Sequence, residues 1–203
     1  MDVQVVRAPL LLPGDRVRLV SPASYPDQEW LDTSIEVLEG WGFRPEVGRH
    51  AMDRWGPMAG RDFDRAADMN DAIRDRGVRA IVTTRGGAGS YRIADQLDFE
   101  ALRADPKPIV GFSDITNIHL AVWKHCGLAT IHGCLAGERA QASVYALLTK
   151  SEGRVLHCNP LALSSAISVP GRARGPLIGG NLRELAGWAG AGMPDLDGAI
   201  VLI

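Results

Sequence analysis

The sequence predicts an α/β protein: a parallel Rossmann-like sheet with helices on both faces, then the start of a second, smaller domain that reads as truncated. Three observations carry this. Short apolar runs such as "AIVTT" and "PIVGF" are continuous rather than alternating, as in strands buried on both faces. Between them lie segments whose apolar residues recur at helical spacing. From about Leu135 the alternation gives way to extended pieces punctuated by proline and glycine.

Taken in order, "DRVRLVSPAS" supplies the first strand, with Val17 and Leu19 inward before a Ser/Pro turn. "PDQEWLDTSIEVLEGWGF" spaces Trp30, Leu31, Ser34, Ile35 and Leu38 as a helix and stops at Gly40 and Gly42. "GRHAMDRWGPMAG" reads as a polar connection. The next helix, "RDFDRAADMNDAIRDRG", groups Phe63, Ala66, Ala67, Asn70 and Ile73 on one face and ends at Gly77.

"VRAIVTT" is a buried strand, followed by the glycine loop "RGGAGS" and a helix over "YRIADQLDFEALRAD". "KPIVGF" is another strand, "DITNIHLAVWKHCG" another helix, "LATIHG" a short strand and "ERAQASVYALLTKSEG" one more helix. Pro160, Pro170 and Pro176, with Gly171, Gly175, Gly179 and Gly180, break up the remainder of the chain. The expected organisation is an α/β domain over 1–150, a linker over 151–170 and the beginning of a C-terminal domain over 171–203. "LDGAIVLI" is a run of β-formers that reaches Ile203 without cap or polar tail, and the expectation is a strand cut off from its neighbours.

Composition narrows the function classes. The 203 residues are 46% hydrophobic and 23% charged, with a formal net charge of −2 and both signs interspersed. That excludes a mainly disordered chain and offers no basic stripe for nucleic acid or an anionic membrane. The short apolar N-terminal stretch, interrupted by Pro9 and Pro13, is neither a signal peptide nor a spanning helix, so the cytoplasm is expected. Cys126, Cys134 and Cys158 are odd in number without C-x-x-C spacing, which suggests free buried thiols in a reducing compartment. The pairs His125-Cys126, His132-x-Cys134 and His157-Cys158 lack chelating spacing, and neither a metal nor a cofactor is expected.

The stretch "PKPIVGFSDITNIHL" carries the candidate chemistry. A buried strand ends at a glycine, and Ser113 follows just before a helix. In an open α/β sheet, ligands gather at the carboxyl ends of strands. A serine there can be presented over unpaired helix N-terminal amides, beginning with Asp114, which suits oxyanion stabilisation. The same pattern also fits an ordinary helix N-cap by Ser113, Asp114 or Thr116. The loop "TTRGGAGSYRI" likewise joins strand to helix, and Gly86 and Gly87 permit close backbone approach to a ligand. It matches neither common nucleotide-binding glycine motif, yet a non-catalytic Rossmann-like module holding a nucleotide or phosphate stands as the alternative reading.

The ordered set "AGRDFDRAADMNDAIRDRGVRAIVTTRGGAGSYRI", "PKPIVGFSDITNIHLA", "IHG", "GPLIGGNLREL" and "MPDLDGAIVLI" resembles the LD-carboxypeptidase family of serine peptidases, which includes the microcin C self-immunity peptidases. The resemblance spans nearly the whole chain. It implies Ser113 as nucleophile, with oxyanion-hole amides from Asp114 and from the Arg85-Gly86-Gly87 loop, Gly87 foremost. Arg85, Gly86 and His132 are the candidate substrate contacts, Arg85 because its planar fork suits a carboxylate.

By the same resemblance, the substrate is a murein peptide cleaved ahead of a terminal D-Ala, or a microcin-type peptidyl-nucleotide, and the protein is a homodimer. Two departures stand out: Ala88 where the family often has an aromatic, and Cys134 after "HG". The family's triad continues with a glutamate just past the "GAIVLI" strand and a later histidine. Neither position falls within these 203 residues, so the polypeptide is expected to be nearly inactive by itself.

Overall fold

The computed structural model describes residues 5–203 except 154, 156, 158 and 160. Cys158 and Pro160, singled out above, therefore lie outside the described residues. Five parallel strands form the main sheet in the order β2-β1-β3-β4-β5: β1 (Arg16–Val20), β2 (Arg44–Val47), β3 (Val78–Thr83), β4 (Ile109–Gly111) and β5 (Ile131–His132). The central strands are apolar on both faces and sealed: Val17, Leu19, Ala80, Ile81 and Ile109 are fully buried. Hydrophobic clusters lie on the two sides of the sheet, one around Met69, Ile73, Ile81 and Ile118, the other around Leu19, Leu38, Val82 and Leu148. This is the parallel α/β architecture that the continuous apolar runs predict.

The helices are α1 (Gln28–Gly40), α2 (Asp62–Arg74), α3 (Phe99–Ala104), α4 (Thr116–Cys126), α5 (Glu138–Thr149) and α6 (Leu182–Trp188). Asp27 caps α1 by accepting from the Trp30 N–H at 2.7 Å, and Gly42 takes a positive φ just past its end.

Two expectations need correction, and one strand is unanticipated. Phe63 does not face the core but is 78% exposed; α2 is rotated so that Arg65, Ala66, Met69, Ala72 and Ile73 face inward. The segment after the glycine loop is not one helix: 3₁₀ turns over Ser90–Arg92 and Ala94–Gln96 precede the short α3, which Asp98 starts by accepting from the Ala101 N–H. "RPEV" forms β2, an edge strand whose Pro45 tolerates the missing donor.

Beyond α5, β6 (Leu177–Gly179) and β7 (Ile200–Leu202) pair in parallel as a separate two-stranded sheet. Ile178, Leu185 and Trp188 from this part bury themselves in the core around α4. Gly180 approaches Thr116 so closely that a Cβ there would lie 2.4 Å from Oγ1, and the Asn181 N–H donates to that same oxygen at 3.0 Å. Cys126 and Cys134 are free and only half-buried rather than sealed in the core. Among the described residues, no helix is long and apolar enough to cross a membrane.

Candidate functional site: a serine on left-handed backbone

Strand β4 ends at Gly111, and the chain passes through Phe112 into a 3₁₀ turn over Ser113–Ile115 that runs directly into α4. Ser113 has φ +57°; among the described residues it is the one non-glycine in the left-handed region. A backbone of that kind costs an L-residue roughly 1–3 kcal/mol and persists only where its surroundings hold it. Gly111 lets the junction close, because a Cβ there would stand 2.5 Å from Ile115 Cγ2 and 2.6 Å from Thr83 Oγ1.

The helix-capping reading fails on this geometry. Neither the 3₁₀ turn nor α4 has a side-chain cap, and Ser113 Oγ hydrogen-bonds no described residue. The Asp114 carboxylate is engaged elsewhere, accepting from the Ser90 N–H at 2.8 Å. A half-buried hydroxyl thus stands free at the carboxyl end of the sheet. Among the described residues, no backbone carbonyl accepts from the N–H of Asp114 or of Gly87.

The glycine loop meets this serine. Gly86 is buried, and a Cβ on it would fall 2.8 Å from Ser113 Cβ and 3.2 Å from its Oγ. Gly87 has φ +113° and lies against Ser24, whose Oγ would be 2.1 Å from a Cβ at 87. Ser24 also ties the loop to the end of β1, its N–H donating to Gly86 O at 3.2 Å and its Oγ accepting from the Ala88 N–H at 3.3 Å. Buried Arg65 adds a second brace, donating to Gly89 O at 2.9 Å and to Pro22 O while pairing with Asp62. Arg85 is exposed, with one long contact from Nη1 to Tyr25 O at 3.5 Å.

His132, at the end of β5, pairs in register with Gly111 and is exposed. Its ring lies 6.0 Å from that of buried His119, whose Nε2 meets Gly111 O at 3.1 Å while Nδ1 has no partner. Desolvation pushes His119 down to about 4 and lowers His132 as well, which keeps both rings neutral near pH 7. Neither histidine hydrogen-bonds Ser113.

His50, Asp53 and Asp64 bring three potential ligand atoms within 4.8 Å of one another. Two of the three already engage each other, His50 Nδ1 lying 2.8 Å from Asp53 Oδ2. An open hollow of about 550 Å³ at the start of α5 is lined by Ala136, Gly137, Glu138 and Arg139, and by none of the serine-junction residues.

Sequence reasoning missed the supports: Ser24, Arg65, Ser90, Asn117 and Trp188. Ser24 and Ser90 flank turns and read as turn residues, while Asn117 and Trp188 sit in unremarkable helical positions. Arg65 had a usable signal, an arginine on the helix face shared by Met69 and Ala72.

Residues 17–133 match the family model described as the LD-carboxypeptidase N-terminal domain. A Streptomyces coelicolor protein is 43% identical over 195 residues, covering 90% of this chain and 61% of that protein. The murein tetrapeptide carboxypeptidase of Pseudomonas aeruginosa is 32% identical over 186 residues, 86% of this chain and 60% of its own. The crystal structure of an MccF-like protein from Bacillus anthracis superposes with a TM-score of 0.84 at 26% identity, covering 97% of this chain and 69% of that one. The chain thus spans about three-fifths of the length of these two curated relatives. By the extent of these matches, the chain belongs to the LD-carboxypeptidase family.

Proposed function

We propose that this chain is the nucleophile-bearing part of a serine carboxypeptidase that releases a terminal D-Ala from murein peptides by cleaving an L,D-peptide bond. One observation supports it above all: Ser113 holds a free hydroxyl on left-handed backbone against the buried Gly86 of the glycine loop. A serine that only capped or packed would not need that conformation. Relatives named for murein peptides are 36% and 32% identical to this chain against 26% for a microcin C7 self-immunity protein, which favours the murein substrate class.

In this reading Ser113 Oγ attacks the carbonyl carbon of the scissile amide, and its proton passes to a general base. The N–H groups of Asp114 and Gly87 receive the oxyanion, each worth about 3–4 kcal/mol where such donors have been removed in acyl-transfer enzymes. Collapse of the tetrahedral adduct breaks the C–N bond, and the leaving D-Ala amine takes up a proton. Water then hydrolyses the acyl-serine ester and frees the shortened peptide. Arg85 pairs with the terminal carboxylate, while Gly86 and His132 line the approach.

Among the described residues no histidine or carboxylate hydrogen-bonds Ser113 Oγ, so the 203-residue polypeptide alone is expected to turn over slowly at best. By family resemblance the enzyme works in the cytoplasm as a homodimer on small peptides, and residues 171–203 open its C-terminal domain. The test uses the full-length protein that carries this chain. A fluorophosphonate should label Ser113, and D-Ala should be released from a tetrapeptide, both abolished by Ser113→Ala. An unlabelled Ser113 combined with tight nucleotide binding would instead support the non-catalytic module.

A further inference from the structure

Beneath the serine junction, side chains from three separate parts of the chain converge on one buried amide. Asn117, in the first turn of α4, is 2% exposed, and its neighbours Ser90 and Asp114 are 0% and 4% exposed. Its Nδ2 donates to Asp114 O at 2.8 Å and to Glu184 Oε2 at 2.9 Å, with Ser90 Oγ at 3.2 Å and Asp114 Oδ1 at 3.4 Å. Its Oδ1 accepts from Trp188 Nε1 at 2.8 Å. The Ser90 hydroxyl completes the cluster, donating to Asp114 O at 2.5 Å.

Chemistry fixes the orientation of this amide. An indole nitrogen is only a donor, so the oxygen of Asn117 must face Trp188. All the remaining neighbours offer oxygen, and the two short bonds use both Nδ2 hydrogens. No other uncharged side chain of this size donates twice and accepts once in that arrangement.

We infer that Asn117, pinned by Trp188, is a positioning residue that holds Asp114 and the Ser113 backbone in the conformation catalysis needs. The inference rests on the proposed hydrolase reading. Asp114 is gripped on two sides, its carboxylate by the Ser90 N–H and its carbonyl by Asn117 and Ser90. Residue 114 follows the strained Ser113, and its N–H is the proposed oxyanion donor. A strained backbone persists only when neighbouring contacts over-determine it, and this clamp supplies them. Because Trp188 and Glu184 belong to α6, the clamp also makes the competence of the junction depend on α6 being docked.

The experiment compares wild type, Asn117→Asp and Trp188→Phe in the full-length protein. The Asp variant keeps the size and the acceptor toward Trp188 but sets an oxygen against four others. The Phe variant keeps the apolar packing and removes only the donor, so it remains informative if the first variant folds poorly. Per folded molecule, kcat should fall at least a hundredfold in Asn117→Asp and about tenfold in Trp188→Phe, with KM within threefold of wild type.

Affinity for a peptide aldehyde, which adds Ser113 to form an oxyanion-bearing adduct, should weaken in parallel with kcat. A purely structural role would lower the melting temperature while leaving kcat and aldehyde affinity per folded molecule at wild-type values, and that result overturns the inference but spares the hydrolase reading. Wild type that neither labels at Ser113 nor cleaves removes both.

Discussion

A Cβ on Gly86 would stand 2.8 Å from the Cβ of Ser113, and 3.0 Å from the carbonyl oxygen of Phe112. Neither neighbour is the loose end of a flexible side chain, so Gly86→Ala must displace either the glycine loop or the serine junction. Overpacking of this kind costs about 1–3 kcal/mol, and a displacement near 1 Å at a reacting group costs on the order of a hundredfold in rate. Gly86→Ala is therefore expected to lower kcat/KM for tetrapeptide hydrolysis by roughly a hundredfold while the protein stays folded. Steady-state kinetics beside a urea melt check both halves; a variant with wild-type kinetics would show that the loop does not touch the reacting serine.

The left-handed backbone at Ser113 makes a prediction about stability that separates the hydroxyl from the main chain. Ser113→Ala and Ser113→Gly both remove the nucleophile and should both be inactive. Alanine keeps the penalty of φ +57°, whereas glycine relieves it, less the larger entropy that glycine loses on folding. The glycine variant should therefore be more stable than the alanine variant by about 1 kcal/mol. Paired urea denaturation curves measure the difference, and equal midpoints would mean that the junction relaxes at no cost.

Arg85 is exposed and has only a marginal contact of its own, to Tyr25 O at 3.5 Å, so its guanidinium is free to pair with a ligand. If it binds the terminal carboxylate of the peptide, Arg85→Ala should raise KM roughly tenfold with a smaller change in kcat. Arg85→Lys should recover only part of the loss, since an ammonium lacks the planar fork. Kinetics on a tetrapeptide and on its C-terminal amide distinguish this role: the amide should be insensitive to the substitution. An unchanged KM for the acid would exclude the pairing.

Which parts of this arrangement were legible in the sequence depends on where each residue's free energy comes from. β1, β3 and β4 are legible because burial on both faces forces continuous apolar runs, as in Ile81-Val82 and Ile109-Val110. β2 is not, because an edge strand can be built from Arg44, Pro45 and Glu46, and its ion pairs with Arg16 and Arg18 join residues distant in sequence. Helix α2 misleads because Phe63 looks like a core residue, while Arg65 is the one that is buried; its place on the face of Met69 and Ala72 is readable, but its carbonyl partners are distant in sequence. At the junction, Gly111 before Ser113 is readable as a tight turn into a helix. The positive φ of Ser113 and the clamp on Asp114 are not, since contacts from Ser90 and α6 impose them across the fold.

His119 supplies a pH dependence whose sign can be worked out. His119 is 7% exposed, its Nε2 meets Gly111 O, Nδ1 is unpartnered, and its ring lies 6.0 Å from that of His132. Desolvation holds it at about 4 in the folded protein, against about 6.5 in an unfolded chain. Between those values the unfolded state binds the extra proton, so this group's contribution is full above pH 6.5 and is lost as pH falls toward about 4. A difference of that size corresponds to about 3 kcal/mol over the window. His119→Gln, which can still donate to Gly111 O, should remove that slope: the stability difference between about pH 7.5 and about pH 4.5 should shrink by a few kcal/mol relative to wild type. Urea melts of both proteins at the two pH values test it. Parallel profiles would mean that His119 is protonated, or exposed to water, in the folded state.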